Sequence, residues 1–229
     1  PGRATADRPL STPRGNQVTN NFGYEETLRL CEALQIEMHL VVNFADAFLK
    51  RKPLAAAAGH AAALVAYCNS HVGGPTPVGV ANWPGIRTRN GHAAPYGVKY
   101  WEIGNETWFF VKELEAQGWD HDEINRWYLE CLSAYVDAMR AIDPDIQILV
   151  DVQFKRAGLM AAIRARLGQN VQYFVEHHYM PWRITQVLKD GQDYPIEALT
   201  DEEVWSTWVV VPQLNSSGES VLASHAIGQ

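Results

Sequence analysis

Short continuous apolar runs alternate along this chain with stretches in which apolar residues recur every three or four positions. Leu28, Cys31 and Leu34 recur three apart and predict a helix over 24–34. IEMHLVVN (36–43) follows. Its Leu40-Val41-Val42 run is short and largely β-branched, as in a strand entering a buried sheet. The Ala-rich stretch 54–69 predicts a second helix. Val98, Tyr100, Trp101 and Ile103 predict a strand within YGVKYWEIGNETW (96–108). Ile124, Trp127, Tyr128, Cys131, Leu132, Tyr135, Val136 and Met139 then repeat at three and four, the clearest amphipathic helix in the chain. Asp120 and Glu123 are placed as a capping box before it, and Asp143-Pro144 stops it. IQILVDV (146–152) reads as a strand. Leu159, Met160, Ile163 and Leu167 make a helix that Gly168 ends, and VQYFVEHHY (171–179) is a fourth strand. The first twenty or so residues read as an irregular loop, and 71–95 as a long Gly/Pro-rich loop of the kind that tends to be functional. After 179 comes a loop rich in Trp, Asp and Glu, then weak helical character over 218–227.

Alternating strands and helices predict a parallel α/β sheet, either doubly wound or closed into a barrel. A doubly wound nucleotide-binding fold calls for GxGxxG after its first strand, and no strand here is followed by one. Polar residues gather instead at the carboxyl ends of the strands: Asn43, Asn105-Glu106 and His177-His178-Tyr179. A (β/α)8 barrel keeps its active site there. Only four strands are visible, whereas a complete barrel has eight in about 250 residues. The expectation is therefore an α/β fold forming a partial (β/α)8 TIM barrel, with residues 1–229 as one incomplete domain.

Composition narrows the function without deciding it. Hydrophobic residues make up 47% of the 229 and charged residues 20%, and the formal net charge is -7. No Lys/Arg run is dense enough to form a phosphate-binding face, which argues against nucleic acid as a partner. The apolar stretches are too short or too broken to span a membrane. Cys31, Cys68 and Cys131 are scattered, with no CxxC pair, and read as small buried apolar side chains rather than zinc ligands or a disulfide framework. The chain opens on Pro1 and shows no signal-peptide core; this leaves the compartment, cytoplasmic or secreted, open.

Glu106 is the leading candidate for chemistry. Its structural reading is a carboxylate at a helix N-terminus, satisfied by the dipole. Its functional reading is a general acid/base whose pKa is raised by a partly buried site, with Asn105 holding a substrate hydroxyl beside it. Glu102, four residues earlier, is either a second catalytic carboxylate or a buried polar residue paired to an Arg or a backbone amide. His177 and Tyr179 are two apart on a strand and point the same way, toward the cavity. A metal site at His177-His178 is the weaker alternative, since adjacent strand residues diverge and no third ligand is spaced to help. Trp83, Trp108 and Trp182 near the strand ends suit stacking on sugar rings as well as core packing.

KYWEIGNE (99–106) resembles the fourth-strand motif of the clan A glycoside hydrolases, which are retaining (β/α)8 enzymes. More narrowly, NNFGYEETLRLCEAL, LVVN, YCNS, RTRNGHAAPYGVKYWEIGNE and HHY resemble the family 51 α-L-arabinofuranosidases over roughly 15–180. The resemblance implies strands three to six of the barrel with their following helices. It implies Glu106 as acid/base, Asn105 on the sugar 2-hydroxyl, and Asn43, His177 and Tyr179 lining the terminal-sugar subsite, with Trp108 near the same rim. It implies an arabinose-containing carbohydrate as substrate and no metal or organic cofactor. Two departures stand out: NFADAF after the third strand is not the expected Gly/Thr-rich turn, and no nucleophile is identifiable. Glu197, Glu202, Glu203 and Glu219 do not end apolar strand-like runs, so the nucleophile is expected beyond Gln229. A half barrel would expose strand edges and so self-associate. The competing readings are another clan A glycosidase (xylosidase, glucuronidase or endoglucanase) and a non-catalytic carbohydrate-binding barrel remnant.

Overall fold

A computed structural model of the chain describes residues 10–11, 17–18, 22–77, 81–152, 158–177, 186–206, 208–214 and 220–226. They divide into two compact units, Pro1–Glu176 and His177–Gln229. In the first unit, β1 (Leu10–Ser11) and β2 (Gln17–Val18) pair antiparallel as a minimal ladder inside the segment expected to be irregular. Then come α1 (Tyr24–Leu34), β3 (His39–Val42), α2 (Ala45–Phe48), α3 (Leu54–Asn69), α4 (Trp83–Arg89), β4 (Tyr100–Ile103), α5 (Trp108–Ala116), α6 (His121–Arg140), β5 (Gln147–Asp151), α7 (Leu159–Leu167) and β6 (Tyr173–Val175).

β3, β4, β5 and β6 form one parallel sheet in that order. Parallel strands in sequential order, joined by right-handed crossovers, put every helix on the same face. The register shows this directly. Leu40, Trp101 and Ile148 are paired in one row, Val42, Ile103 and Val150 in another, and all six are buried in the helix-facing core. The rows between them carry His39, Tyr100 and Gln147, then Val41, Glu102, Leu149 and Tyr173. On that opposite face Val41 is 38% and Tyr173 48% exposed. A sheet helix-covered on one face and open on the other is a segment of barrel wall, seen with its inner side accessible.

The predicted strand ends at 43, 104 and 152 lie one residue past the observed ones, at Val42, Ile103 and Asp151. The fourth strand stops at Val175, short of 179. The predicted capping box is present: Asp120 Oδ1 accepts from the Asp122 and Glu123 amides, and Glu123 Oε2 accepts from the Asp120 amide at 3.0 Å. The long loop over 71–95 contains a helix after all. Asn82 Oδ1 accepts from the Gly85 amide at 2.9 Å and Pro84 lies in the first turn, an N-cap signal hidden in ANWPG.

Two features of α6 set the sheet's carboxyl rim. Tyr135 Oη donates to the Asn43 carbonyl at 2.8 Å, and Tyr128 Oη donates to the Asp151 carbonyl at 2.5 Å. The two tyrosines, two turns apart on one helix face, fix the ends of β3 and β5 on either side of β4. Phe44 packs edge-on against both rings. Behind the sheet, the Glu25 carboxylate accepts from Tyr67 Oη, from Tyr96 Oη at 2.6 Å and from Arg29 Nε at 3.1 Å. This ties α1 to α3 and to the segment entering β4. Cys68 and Cys131 are buried as expected, while Cys31 is half-buried with its sulfur 3.5 Å from Met38 Sδ.

In the second unit, β7 (Gln186–Lys189) pairs antiparallel with β8 (Gln192–Pro195), α8 spans Asp201–Ser206, and β9 (Trp208–Leu214) pairs antiparallel with β10 (Ser220–Ala226). The segment after 179 is thus not simply a loop, and 220–226 is a strand, not a weak helix. Cross-strand pairing with the β-branched run WVVVPQL overrides the indifferent local preference of SVLASHA.

Candidate active site at the carboxyl end of the parallel sheet

The turn leaving β4 is built by Gly104, Asn105, Glu106 and Thr107. Gly104 extends the ladder one step, its amide donating to the Val42 carbonyl at 3.3 Å. It then turns at φ +85°, a conformation costly to any residue with a Cβ. A Cβ there would meet Thr107 Cγ2 at 2.8 Å and Phe44 Cβ at 3.3 Å. Glycine is needed for both the angle and the space. Asn105 is exposed at the apex, and Glu106 is half-buried. Glu106 itself sits at φ +49°, left-handed and unusual for a residue with a side chain. Thr107 is fully buried and begins α5: the amides of Phe110 and Val111 donate to its carbonyl.

A buried contact holds this turn from below. The Thr107 amide donates to Asp151 Oδ2 at 2.6 Å, and both residues are fully buried. Asp151 is the last residue of β5, and Tyr128 holds its carbonyl. Neither partner stood out in the sequence. The available signals were an acidic residue closing an apolar strand, ILVD, and two tyrosines in the apolar stripe of a helix.

The remaining expected residues divide clearly. Asn43 lies at the end of β3, exposed, beside the Gly104 turn. Its Oδ1 accepts from the Asp46 amide at 3.1 Å and so starts α2. That bond lies within the NFADAF turn, the segment that departs from the expected Gly/Thr-rich sequence. A cavity of about 290 Å³ beside β3 is lined by Asn43, Tyr24, His60, Leu64 and Trp83, which brings one expected polar residue and one expected tryptophan to a single place. Trp108 is half-buried, its ring stacked on Phe109 at 3.6 Å between centroids, with Lys112 Nζ 4.5 Å from its centre. Phe109 is 52% exposed, so an aromatic platform begins two residues after Glu106.

Glu102 is buried on the inner face and paired with His39 Nε2 at 3.0 Å. Desolvation by burial lowers the His39 pKa. His177 is half-buried at the start of the second unit, and Tyr179, His178 and Trp182 lie outside the described residues. Glu197, Glu202 and Glu203 belong to the second unit, the first on a 3₁₀ turn and the others in the first turn of α8. Glu203 Oε2 accepts from the Thr200 amide and hydroxyl as a helix cap. Glu219 lies outside the described residues. No His, Cys, Asp and Glu cluster suited to a metal occurs among the described residues.

Residues 4–194 match the family model described as the alpha-L-arabinofuranosidase 1 domain. The chain belongs to this family. Among curated proteins it is 31% identical over 134 residues to alpha-L-arabinofuranosidase C of Emericella nidulans, and 30% over 134 residues to the "Probable alpha-L-arabinofuranosidase C" of Aspergillus flavus. Each match covers 58% of this chain and 22% of the relative. The chain thus aligns with about a fifth of those proteins' length. An alpha-L-arabinofuranosidase of Thermotoga maritima, solved with arabinose, superposes with TM-score 0.52 at 20% identity, covering 71% of this chain and 29% of that one. A family 51 alpha-L-arabinofuranosidase from Bifidobacterium longum gives 0.50 at 17% identity over the same shares. With these barrel enzymes as neighbours, the parallel sheet of this arabinofuranosidase-domain chain is part of a (β/α)8 barrel.

Proposed function

We propose that this chain supplies the acid/base half of a retaining glycoside hydrolase that releases terminal α-L-arabinofuranosyl residues from arabinose-containing polysaccharides or oligosaccharides. The observation that carries the reading is Glu106: a half-buried carboxyl on a rigid turn at the carboxyl end of a barrel strand, in a chain of the arabinofuranosidase domain family. Barrel enzymes gather catalytic groups from several strand ends on this face.

In the first step a second carboxylate, contributed by the complete protein outside residues 1–229, attacks the anomeric carbon. The glycosidic C–O bond breaks, and Glu106 gives its proton to the leaving oxygen. In the second step Glu106 takes a proton from water, whose oxygen displaces the enzyme carboxylate from the sugar. Retention by this route places the two carboxyls about 5–5.5 Å apart. Asn105, exposed beside Glu106, bonds the sugar 2-hydroxyl. Asn43 borders the terminal sugar, and the Trp108 ring offers an apolar face to it or to the leaving group; the motif HHY, by its family resemblance, adds His177 and Tyr179 as substrate-binding candidates. The test is to assay the full-length protein on aryl α-L-arabinofuranosides and aryl β-D-xylosides, following anomeric configuration by NMR. Arabinofuranoside turnover with retained configuration is expected. Preference for the xyloside, or inversion, would defeat the proposal.

A further inference from the structure

The strained backbone at Glu106 requires something to hold it, and the structure shows what does. A non-glycine residue in the left-handed region is strained and persists only where its surroundings over-determine it. Glu106 is at φ +49°. The next peptide N–H, that of Thr107, is gripped by Asp151 Oδ2 at 2.6 Å in a fully buried contact. A charged acceptor in low dielectric makes this among the stronger hydrogen bonds a backbone amide can form. Its location matters more than its strength. The amide belongs to the peptide unit joining Glu106 to Thr107, so the carboxylate fixes the plane on which the Glu106 Cα is mounted. Asp151 is itself braced, through its carbonyl, by Tyr128 from α6. The chain of support runs from the packed face of α6, through the end of β5, to the backbone of Glu106.

We infer that Asp151 is a positioning residue for the acid/base carboxyl: its buried carboxylate holds the Glu106–Thr107 peptide unit and so aims Glu106 at the scissile oxygen. The inference rests on the acid/base reading of Glu106, and the two fail in different ways. Asp151 acts through its side chain on the Thr107 backbone amide, and it is fully buried. Removing it leaves Glu106 present but released to relax toward an unstrained conformation. Displacement of a catalytic group by about 1 Å costs on the order of a hundredfold in rate.

The experiment compares Asp151→Ala, Asp151→Asn and Glu106→Ala in the full-length protein. The reading is the ratio of kcat/KM on a poor-leaving-group arabinofuranoside to that on an activated dinitrophenyl arabinofuranoside. A smaller folded fraction lowers both rates together and leaves the ratio unchanged, so the ratio separates positioning from stability. Asp151→Ala is expected to lower the ratio by roughly ten- to a hundredfold, as a milder copy of Glu106→Ala. Asp151→Asn, which keeps an acceptor oxygen for the Thr107 amide, is expected to keep the ratio near that of the unaltered protein. Should Asp151→Ala not fold, Asp151→Ser replaces it, since its oxygen sits one bond further from the amide. An unchanged ratio in the Ala or Ser variant, with a lowered one in Glu106→Ala, would overturn the inference. So would an Asn variant as impaired as Ala. An unchanged ratio in Glu106→Ala would instead overturn the acid/base assignment beneath it.

Discussion

A glycine and a glutamate both hold positive φ in the turn after β4, for different reasons. Gly104 has no room for a Cβ and no penalty for its angle. Glu106 bears the penalty, with the next amide held by Asp151. Gly104→Ala should therefore destabilise the protein by about 1–3 kcal/mol, read from denaturant midpoints, with the clash against Thr107 pushing the turn outward. A midpoint equal to that of the parent would mean that the turn is soft and the argument for a rigid mount is wrong. The sequence showed Gly-Asn-Glu as an odd way to end a strand, and that was enough to single out Glu106. It could not show Asp151, because a carboxylate closing a strand 45 residues later has no local mark of its partner. The His39 partner of Glu102 is set by cross-strand register, which composition does not encode.

At the scale of elements, α6 does more than cover the sheet. Its apolar stripe was the most legible feature of the chain, and its span and capping box were read nearly to the residue. The stripe also carries two hydroxyls whose targets became clear only in three dimensions. Tyr128→Phe leaves the buried Asp151 carbonyl short of a donor and should cost about 1–3 kcal/mol, and Tyr135→Phe, at the part-buried Asn43 carbonyl, should cost about 1 kcal/mol. Equilibrium unfolding checks this, and losses near zero would mean water replaces both donors. α1 has its own anchor. Burial pushes the Glu25 carboxyl up, but hydrogen bonds from Tyr67, Tyr96 and Arg29 outweigh it, so the pKa is lowered. The same contact, after burial, raises Tyr67 to about 12. A carboxyl whose pKa is lowered on folding leaves the unfolded chain binding more protons as pH falls below about 4.3, its ordinary value. The stability it contributes is present above that pH and lost as pH drops through the folded value. Glu25→Gln should lower stability at pH 7 and flatten the acid limb of a stability-versus-pH curve; an unchanged limb would show that other carboxylates dominate it. The elements missed on sequence, α4 and the two hairpins of the second unit, were missed for related reasons. An N-cap inside a Pro/Gly-rich run looks like loop, and antiparallel partners only a few residues apart were hidden by weak local preference.

On the scale of the whole molecule, four parallel strands with helices on one face leave an inner face bearing His39, Val41, Tyr100 and Tyr173 partly open. The alternation and the polar strand ends made that architecture legible, while the position of a second catalytic carboxylate was not: among the described residues Glu106 lies three residues past β4 and Glu176 directly follows β6. Expressed alone, the 229-residue chain is expected to be inactive on aryl α-L-arabinofuranosides and to self-associate through its open edges. Turnover by a monomer, abolished in Glu106→Ala, would mean that the nucleophile lies within these residues. Chemical rescue of Glu106→Ala in the full-length protein tests the acid/base role of Glu106 most directly. A large loss is expected on substrates with poor leaving groups, a smaller one on activated aryl arabinofuranosides, and turnover restored by azide with α-L-arabinofuranosyl azide as product. Equal losses on both substrates, with no response to azide, would contradict it.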